Sequence, residues 1–263
     1  MTSEPAAVPI PPEVIAFDLL GTLFSLASLE PLLAAAGGDA SSLDVWWSQL
    51  LADGFALTAA REYQPFRDVA KASLRTVLPK GKAAARDRVV TGLNRLEVHP
   101  DSGPAMGRTV MNARVAVVSN TSSDHTRKLV ARGGLDAFVE TITTAEDVKR
   151  WKPASDPYAL AAAEQEVPLQ RMAMVSAHPW DIMGARRAGL VTGWCNRTGA
   201  TFPTTFGKPD VTGVNLLDVV EKLFVLTGAA PQATPAKRRK STMVKSPARS
   251  DGSSGRQEGA ARR

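Results

Sequence analysis

The stretch Ile15–Ser25 reads IAFDLLGTLFS. An apolar run is broken by one acid, Asp18, and closes two leucines later on Gly21 and Thr22. With Val14 before it, the segment VIAFDLL has the length and composition of a strand buried on both faces, as in a parallel sheet. Asp18 then falls where the strand meets its turn. Open parallel sheets bind ligands beyond the carboxyl ends of their strands. The residue two places on is Leu20, not a second acid.

Three more segments read as strands: RVAVVSN (Arg114–Asn120), MAMVSAH (Met172–His178) and LVTGWCN (Leu190–Asn196). Between them SDHTRKLVARGGL and SDPYALAAAEQEV have helical patterns. Ser123 or Asp124 can cap the first, and Gly133-Gly134 can end it. Strands alternating with helices predict βαβ units and an α/β fold, a Rossmann-like parallel sheet. From about Ser28 to Leu96 the alternation stops. LEPLLAAAGG, SSLDVWWSQLLADGFAL, PFRDVAKASLRTVL and KAAARDRVVTGLNRL all carry helical spacing. They predict a helical cap inserted over the sheet's C-terminal edge. The expected organisation is a loose N-terminus at 1–12, a core at 13–27 and 97–228, a cap at 28–96 and a disordered basic tail at 229–263.

Composition narrows the class. The chain has 263 residues, 44% of them hydrophobic, enough for a sizeable core. No apolar run reaches membrane-spanning length, and no secretory pattern is seen. One cysteine, Cys195, excludes an internal disulfide framework and fits a reducing, cytoplasmic compartment. Net charge is +6, but Ala229–Arg263 holds nine basic and two acidic residues, so the rest of the chain stands at −1. Any contact with nucleic acid or acidic surfaces is therefore expected of the tail, through KRRK, and not of the body. A solvated, solubilising tail is the simpler reading.

Chemistry-bearing residues gather at three predicted strand ends. Asp18 and Thr22 follow the first strand. Ser119 and Asn120 end the second. Ser176 ends the third, with His178 and Asp181 just beyond it. Lys152 sits in the loop before the third strand, in DVKRWKPASDPY. Together these would supply a carboxylate nucleophile, hydroxyl and amide donors, and a cation that keeps the carboxylate charged. Taken singly, each has a plainer reading: Asp18 and Thr22 as turn residues, Ser119-Asn120 and Asp181 as helix caps, Lys152 as a surface lysine. His99 and His125 lack the paired spacing of a zinc site. Cys195 reads as a small buried hydrophobe. Trp46, Trp47 and Phe66 read as cap core, with one of them free to face the site.

These segments, in this order, resemble the motifs of the haloacid dehalogenase-like superfamily of hydrolases. FDLLGTL resembles the first motif, VVSN the second, WKPASDPY the lysine motif and MVSAHPWDIMGARRAGL the fourth, across about Val14 to Leu226. The resemblance implies the core-and-cap fold. Phosphatases of the superfamily usually carry a general acid where Leu20 stands, and a pair of fourth-motif acids that help hold Mg²⁺; here Ala177 replaces one and Asp181 remains. The closer resemblance is to the type II 2-haloacid dehalogenases, which lack the second acid and need no metal. By that resemblance Asp18 displaces halide to form an aspartyl ester, and water frees a 2-hydroxy acid. Thr22 and Ser119 would bind the Asp18 or substrate carboxylate, and Asn120 would donate to substrate or halide. Lys152 would keep Asp18 ionised, Tyr158 would line the pocket, and Ser176 and Asp181 would orient Lys152 and the water. No cofactor is then expected, the substrate would be a short 2-halo carboxylic acid, and a homodimer is possible.

Three positions depart from that pattern. Leu20 stands where these dehalogenases have Tyr, and His178 where they have Asn. The early cap segment AAAGGDASSLDVWW contains no Arg, and the first one after Asp18 is Arg61. It reads as a surface residue or as an arm reaching the site from another helix. His178 reads either as a water-activating base or pH-sensitive donor, or as a side chain packed beside Trp180. Two other functions stay open at this stage: a phosphatase of the same fold using Asp18 and Mg²⁺, and a catalytically weak binding scaffold.

Overall fold

A computed structural model describes residues 11–226 and 228. The expectations for the first ten residues and for the basic tail at 229–263 lie outside the described residues. The chain opens with β1 (Val14–Phe17), turns, and leaves the sheet through β2 (Phe24–Ser25). Four helices follow: α1 (Glu30–Ala35), α2 (Ser42–Ala59), α3 (Phe66–Val77) and α4 (Ala83–Gly92). The strand β3 (Glu97–Val98) pairs antiparallel with β2 and brings the chain back. Then come α5 (Ser102–Thr109), β4 (Arg114–Ser119), α6 (Ser123–Arg132), β5 (Val139–Thr144), α7 (Ala145–Val148) and α8 (Ser155–Glu164). The rest is β6 (Met172–Ser176), α9 (Pro179–Ala188), β7 (Val191–Cys195), β8 (Val211–Gly213) and α10 (Leu216–Leu226).

The sheet has the order β5-β4-β1-β6-β7-β8, and every pairing in it is parallel. Strand alternation sorts the core into two layers. Ile15 and Phe17 face one side with Val115, Val117, Ala173 and Val175, against α5, α6 and α10. Val14 and Ala16 face the other with Ala116, Val118, Met172 and Met174, against α8 and α9. Helices on both faces explain why β1 is continuously apolar until Asp18. Each fully buried side chain of the Phe17 kind contributes roughly 1.5–3 kcal/mol. From β1 the chain steps outward to β4 and β5, then crosses to β6 on the other side. That reversal opens a crevice at the carboxyl end of β1, where Asp18 stands.

All four predicted strands and all four cap helices are present. β5 and β8 escape sequence reading: VETITT is an edge strand with four polar residues in six, and VTG is three residues long. The ribbon β2–β3, four residues at the base of the insert, leaves no periodic trace. The N-cap of α6 is Ser122, whose hydroxyl accepts from His125 N–H, and not Ser123 or Asp124. No helix among the described residues is long and apolar enough to cross a membrane.

Candidate active site

Asp18 is held at the rim of the sheet by its own N–H, which donates to Val175 O at 3.0 Å. The chain then folds back on itself, with Leu23 and Phe24 N–H both donating to Leu19 O. Gly21 makes this turn possible with φ +79°, and a Cβ there would lie 2.9 Å from the His178 ring. The turn carries Thr22 back beneath Asp18. Its hydroxyl donates to Asp18 Oδ2 at 2.7 Å and accepts from Ala177 N–H at 3.0 Å.

Lys152 is wholly buried, against the plain surface reading of a lone lysine. Its ammonium ends 2.8 Å from each of Asp18 Oδ1, Asp181 Oδ2 and Val118 O. An ammonium has three donors, and all three are used. The Lys152 backbone is clasped by Asn120, whose Oδ1 accepts from Lys152 N–H at 2.8 Å and whose amide donates to Lys152 O at 3.3 Å. Next to it, Trp151 docks into the cap. It donates from its backbone N–H to Thr58 Oγ1 and from its indole to Gln64 O, and it stacks on Phe66 at 5.3 Å. The lysine loop is thus fastened to core and cap at once.

The charge balance follows from the geometry. Burial pushes the Asp18 carboxyl up, but the Lys152 and His178 charges and the hydrogen bonds from Lys152 and Thr22 outweigh it, and the group lies below its ordinary value. Burial also disfavours the Lys152 ammonium, yet Asp18 and Asp181 raise it above its ordinary value. One cation cannot satisfy two carboxylates equally. Asp181 is raised, by burial first and, against the pull of Lys152, by the Asp18 charge. The arrangement therefore keeps Asp18 as the anion facing the cavity and gives Asp181 the higher proton affinity.

Several expected contacts are redrawn. Tyr158 does not line the cavity. It is buried in the core on the α8–α9 side, and its hydroxyl donates to Asp181 Oδ1 at 2.6 Å. Burial, then the Asp181 charge, raises this phenol well above its ordinary value, so it stays a donor. Asp181 lies in the first turn of α9 aimed at Lys152 and is not that helix's cap. Ser176 touches neither Lys152 nor Asp181 by hydrogen bond; its hydroxyl accepts from His178 N–H at 3.1 Å. Ser119 heads a chain of hydroxyls: Ser119 to Thr121 at 3.1 Å, Thr121 to Thr126 at 2.8 Å, Thr126 to Ser122 O at 2.9 Å. The carbonyl can only accept, so each hydroxyl donates away from the site, and Ser119 presents oxygen to it.

His178 Nε2 lies 2.7 Å from Leu20 O and 3.5 Å from Asp18 Oδ2. A carbonyl partner requires this nitrogen to carry the proton, so Nε2 is a donor here and not a base. The ring also stacks on Trp180 at 5.2 Å and 16°. The ring thus joins the donor of one sequence reading to the Trp180 packing of the other.

Asp18, Leu20, Ser119, Asn120 and His178 meet around a small cavity of about 20 Å³. Its other walls are Thr121, Trp180 and three cap residues, Trp47, Leu51 and Phe66. These five lay outside the predicted site set. A signal for the cap side existed: Trp47, Leu51 and Phe55 recur every four residues along α2, one face of a helix. Trp46, one position earlier, turns away and donates to Ala70 O and Ser73 Oγ inside the cap. Arg61 lies exposed beyond the end of α2 and does not line the cavity. Cys195 is buried, its thiol pushed up to about 11 by burial.

A buried Asp–Lys–Asp set stands at the switch point of a parallel sheet, roofed by an inserted helical cap. The chain belongs to the haloacid dehalogenase-like hydrolases: the family model of that description matches residues 12–189. It is 31% identical over 230 residues to an (S)-2-haloacid dehalogenase of Pseudomonas sp. (strain YL), covering 82% of this chain and 96% of that one. It is 25% identical over 223 residues to a haloacetate dehalogenase of Moraxella sp. (strain B), covering 81% and 98%. In fold it matches the structure of an L-2-haloacid dehalogenase from Xanthobacter autotrophicus with a TM-score of 0.75, at 22% identity, over 83% of this chain and all of that one.

Proposed function

We propose that this protein hydrolyses 2-halo carboxylic acids to 2-hydroxy acids without a metal. The observation that carries the reading is the pairing of an ionised Asp18, held by Lys152 and Thr22, with an apolar Leu20 where a leaving-group acid would have to stand. Halide leaves without a proton, so the displacement needs no acid at that position. The relatives named for the same chemistry support it.

In the proposed reaction an Asp18 oxygen attacks C2 of the substrate, the C2–halogen bond breaks with its electron pair, and halide departs. The product is an ester between Asp18 and the acid. Water then attacks the ester carbonyl, the acyl–oxygen bond breaks, and Asp18 is regenerated with one water oxygen. A 2-hydroxy acid and one proton are released. Lys152 lowers the energy of the Asp18 charge in both steps, and Asn120 holds the Lys152 backbone in place. Trp47, Phe66 and Trp180 exclude bulk water from the displacement.

A Mg²⁺-dependent phosphatase reading fits the residues poorly. Lys152 occupies an oxygen of each carboxylate, and the side chains of Ala177 and Leu20 offer no oxygen ligand. Among the described residues, no three His, Cys, Asp or Glu side chains come together as a metal-ligand group.

The test is halide release by purified protein from 2-chloropropionate and 2-bromopropionate, with and without chelator, beside an aryl phosphate with Mg²⁺. Chelator-insensitive halide release is expected. Phosphate release that depends on Mg²⁺, with no halide release, overturns the proposal.

A further inference from the structure

The cavity at Asp18 is too small for the substrate it is proposed to serve. About 20 Å³ holds about one water molecule. Directly beside it lies a cleft of about 360 Å³ between the cap and the start of α6. The two spaces share Phe66 and Thr121 as a common wall. On the cap side the cleft is apolar, with Val90 and Leu93; Arg67 stands at its mouth. Its core side is polar, from Thr121 to Lys128.

The ionisable groups facing the cleft are Arg67, Asp124, His125 and Lys128. Lys128 is paired with Asp124 at 2.7 Å. The His125 Nε2 lies 3.0 Å from Leu93 O, a carbonyl that makes it the donor, and ties α6 to the cap. Arg67 forms no salt bridge with another described residue. The mouth thus carries net positive charge, which draws in an anion.

We propose that this cleft is the acyl-chain subsite of the enzyme, and that its substrates are 2-halo acids whose carbon chain extends past C3. The inference rests on the dehalogenase reading of the Asp18 site. C2 would reach Asp18 with the Phe66 ring swung aside, so that the cavity and the cleft join into one space. The chain would pass Phe66 and lie along Val90 and Leu93, where each buried methylene strengthens transition-state binding about fourfold. The Phe66 ring stacks on Trp151, so the wall that the chain must pass is joined to the lysine loop.

The experiment compares 2-bromopropionate, 2-bromobutyrate and 2-bromohexanoate, in the wild-type protein and in Asn94→Trp. Asn94 is an exposed residue of the cleft, and an indole there fills it with little risk to folding. For wild type, kcat/KM should rise at least tenfold from the propionate to the hexanoate. In Asn94→Trp the hexanoate-to-propionate ratio should fall at least fivefold. A flat chain-length profile in wild type, or an unchanged ratio in the variant, overturns the subsite.

A second measurement separates this from failure of the dehalogenase reading. Calorimetric binding of lactate and of 2-hydroxyhexanoate needs no turnover. Tighter binding of the longer acid that is lost in Asn94→Trp upholds the cleft even if no halide is released. Equal binding of the two acids overturns the cleft whatever the halide assay reads.

Discussion

The Lys152 ammonium ends 2.8 Å from Asp18 Oδ1, joining two residues 134 positions apart in the chain. It is also 2.8 Å from Asp181, and all three side chains are almost fully shielded from water. Removing one member of a buried set strands the charge of the others. The substitution Lys152→Met should therefore destabilise the fold by about 3–5 kcal/mol in chemical denaturation. The acid limb of the rate profile should also move up, because the cation that holds Asp18 below its ordinary value is gone. A variant as stable as wild type contradicts the geometry.

If Asp18 is the nucleophile, the oxygen in the product comes from the protein on the first turnover. With excess enzyme in ¹⁸O water, the label should appear in the Asp18 carboxylate, read by peptide mass spectrometry, and not in the first equivalent of 2-hydroxy acid. Asp18→Asn should lose halide release. Label found directly in the product under these conditions points to attack by water on substrate.

Tyr158→Phe removes one hydroxyl and leaves Asp181 Oδ1 without its 2.6 Å donor. An unsatisfied buried acceptor costs about 1–3 kcal/mol. The melting temperature should fall, while KM for a 2-halo acid should stay near wild type because the ring lies outside the cavity. A large rise in KM with unchanged stability argues for a Tyr158 that touches substrate.

Gly54 lies where α2 crosses the lysine loop, and a methyl group there collides with the Trp151 ring. Gly54→Ala normally favours a helix. Here overpacking should dominate, costing about 1–3 kcal/mol, and kcat should drop as Trp151 and its neighbour Lys152 shift. A stabilised, fully active variant shows that the cap and the loop are not in close contact.

Acid should weaken the fold near neutrality. Burial first of all lowers the pKa of His125 and of His99. The folded state then binds fewer protons than the unfolded state just below the unfolded value of about 6.5, so stability rises with pH there. It is fully present above that value and is lost as pH falls through the lower folded values. Denaturation midpoints at pH 7.5 and pH 5.5 should differ in that direction, and the difference should shrink in His125→Gln. A midpoint independent of pH across this window contradicts the burial of both imidazoles.

Much of the chemistry is legible in short windows of sequence. Strand-end placement brings Asp18, Thr22, Ser119, Asn120 and Asp181 to one edge because parallel strands all point their carboxyl ends the same way. The cap is legible because helical spacing persists through four segments with no strand among them. Lys152 carries no such local mark. WKPASDPY reads as a loop, and nothing in it tells a buried lysine from a surface one.

The sequence by itself determined the class of fold, the turn that carries Asp18 and the absence of an acid at Leu20, since these depend on periodicity and on neighbours a few residues apart. Tertiary structure alone decided what those groups meet. It turned Trp47 to the cavity and Trp46 to the cap interior, set Tyr158 behind Asp181, pointed the Ser119 proton away from the site and gave His178 a carbonyl to donate to. Each of these depends on which face of an element is covered by one far away in the chain. Such contacts are made by packing and by long-range hydrogen bonds, and neither leaves a period in the sequence.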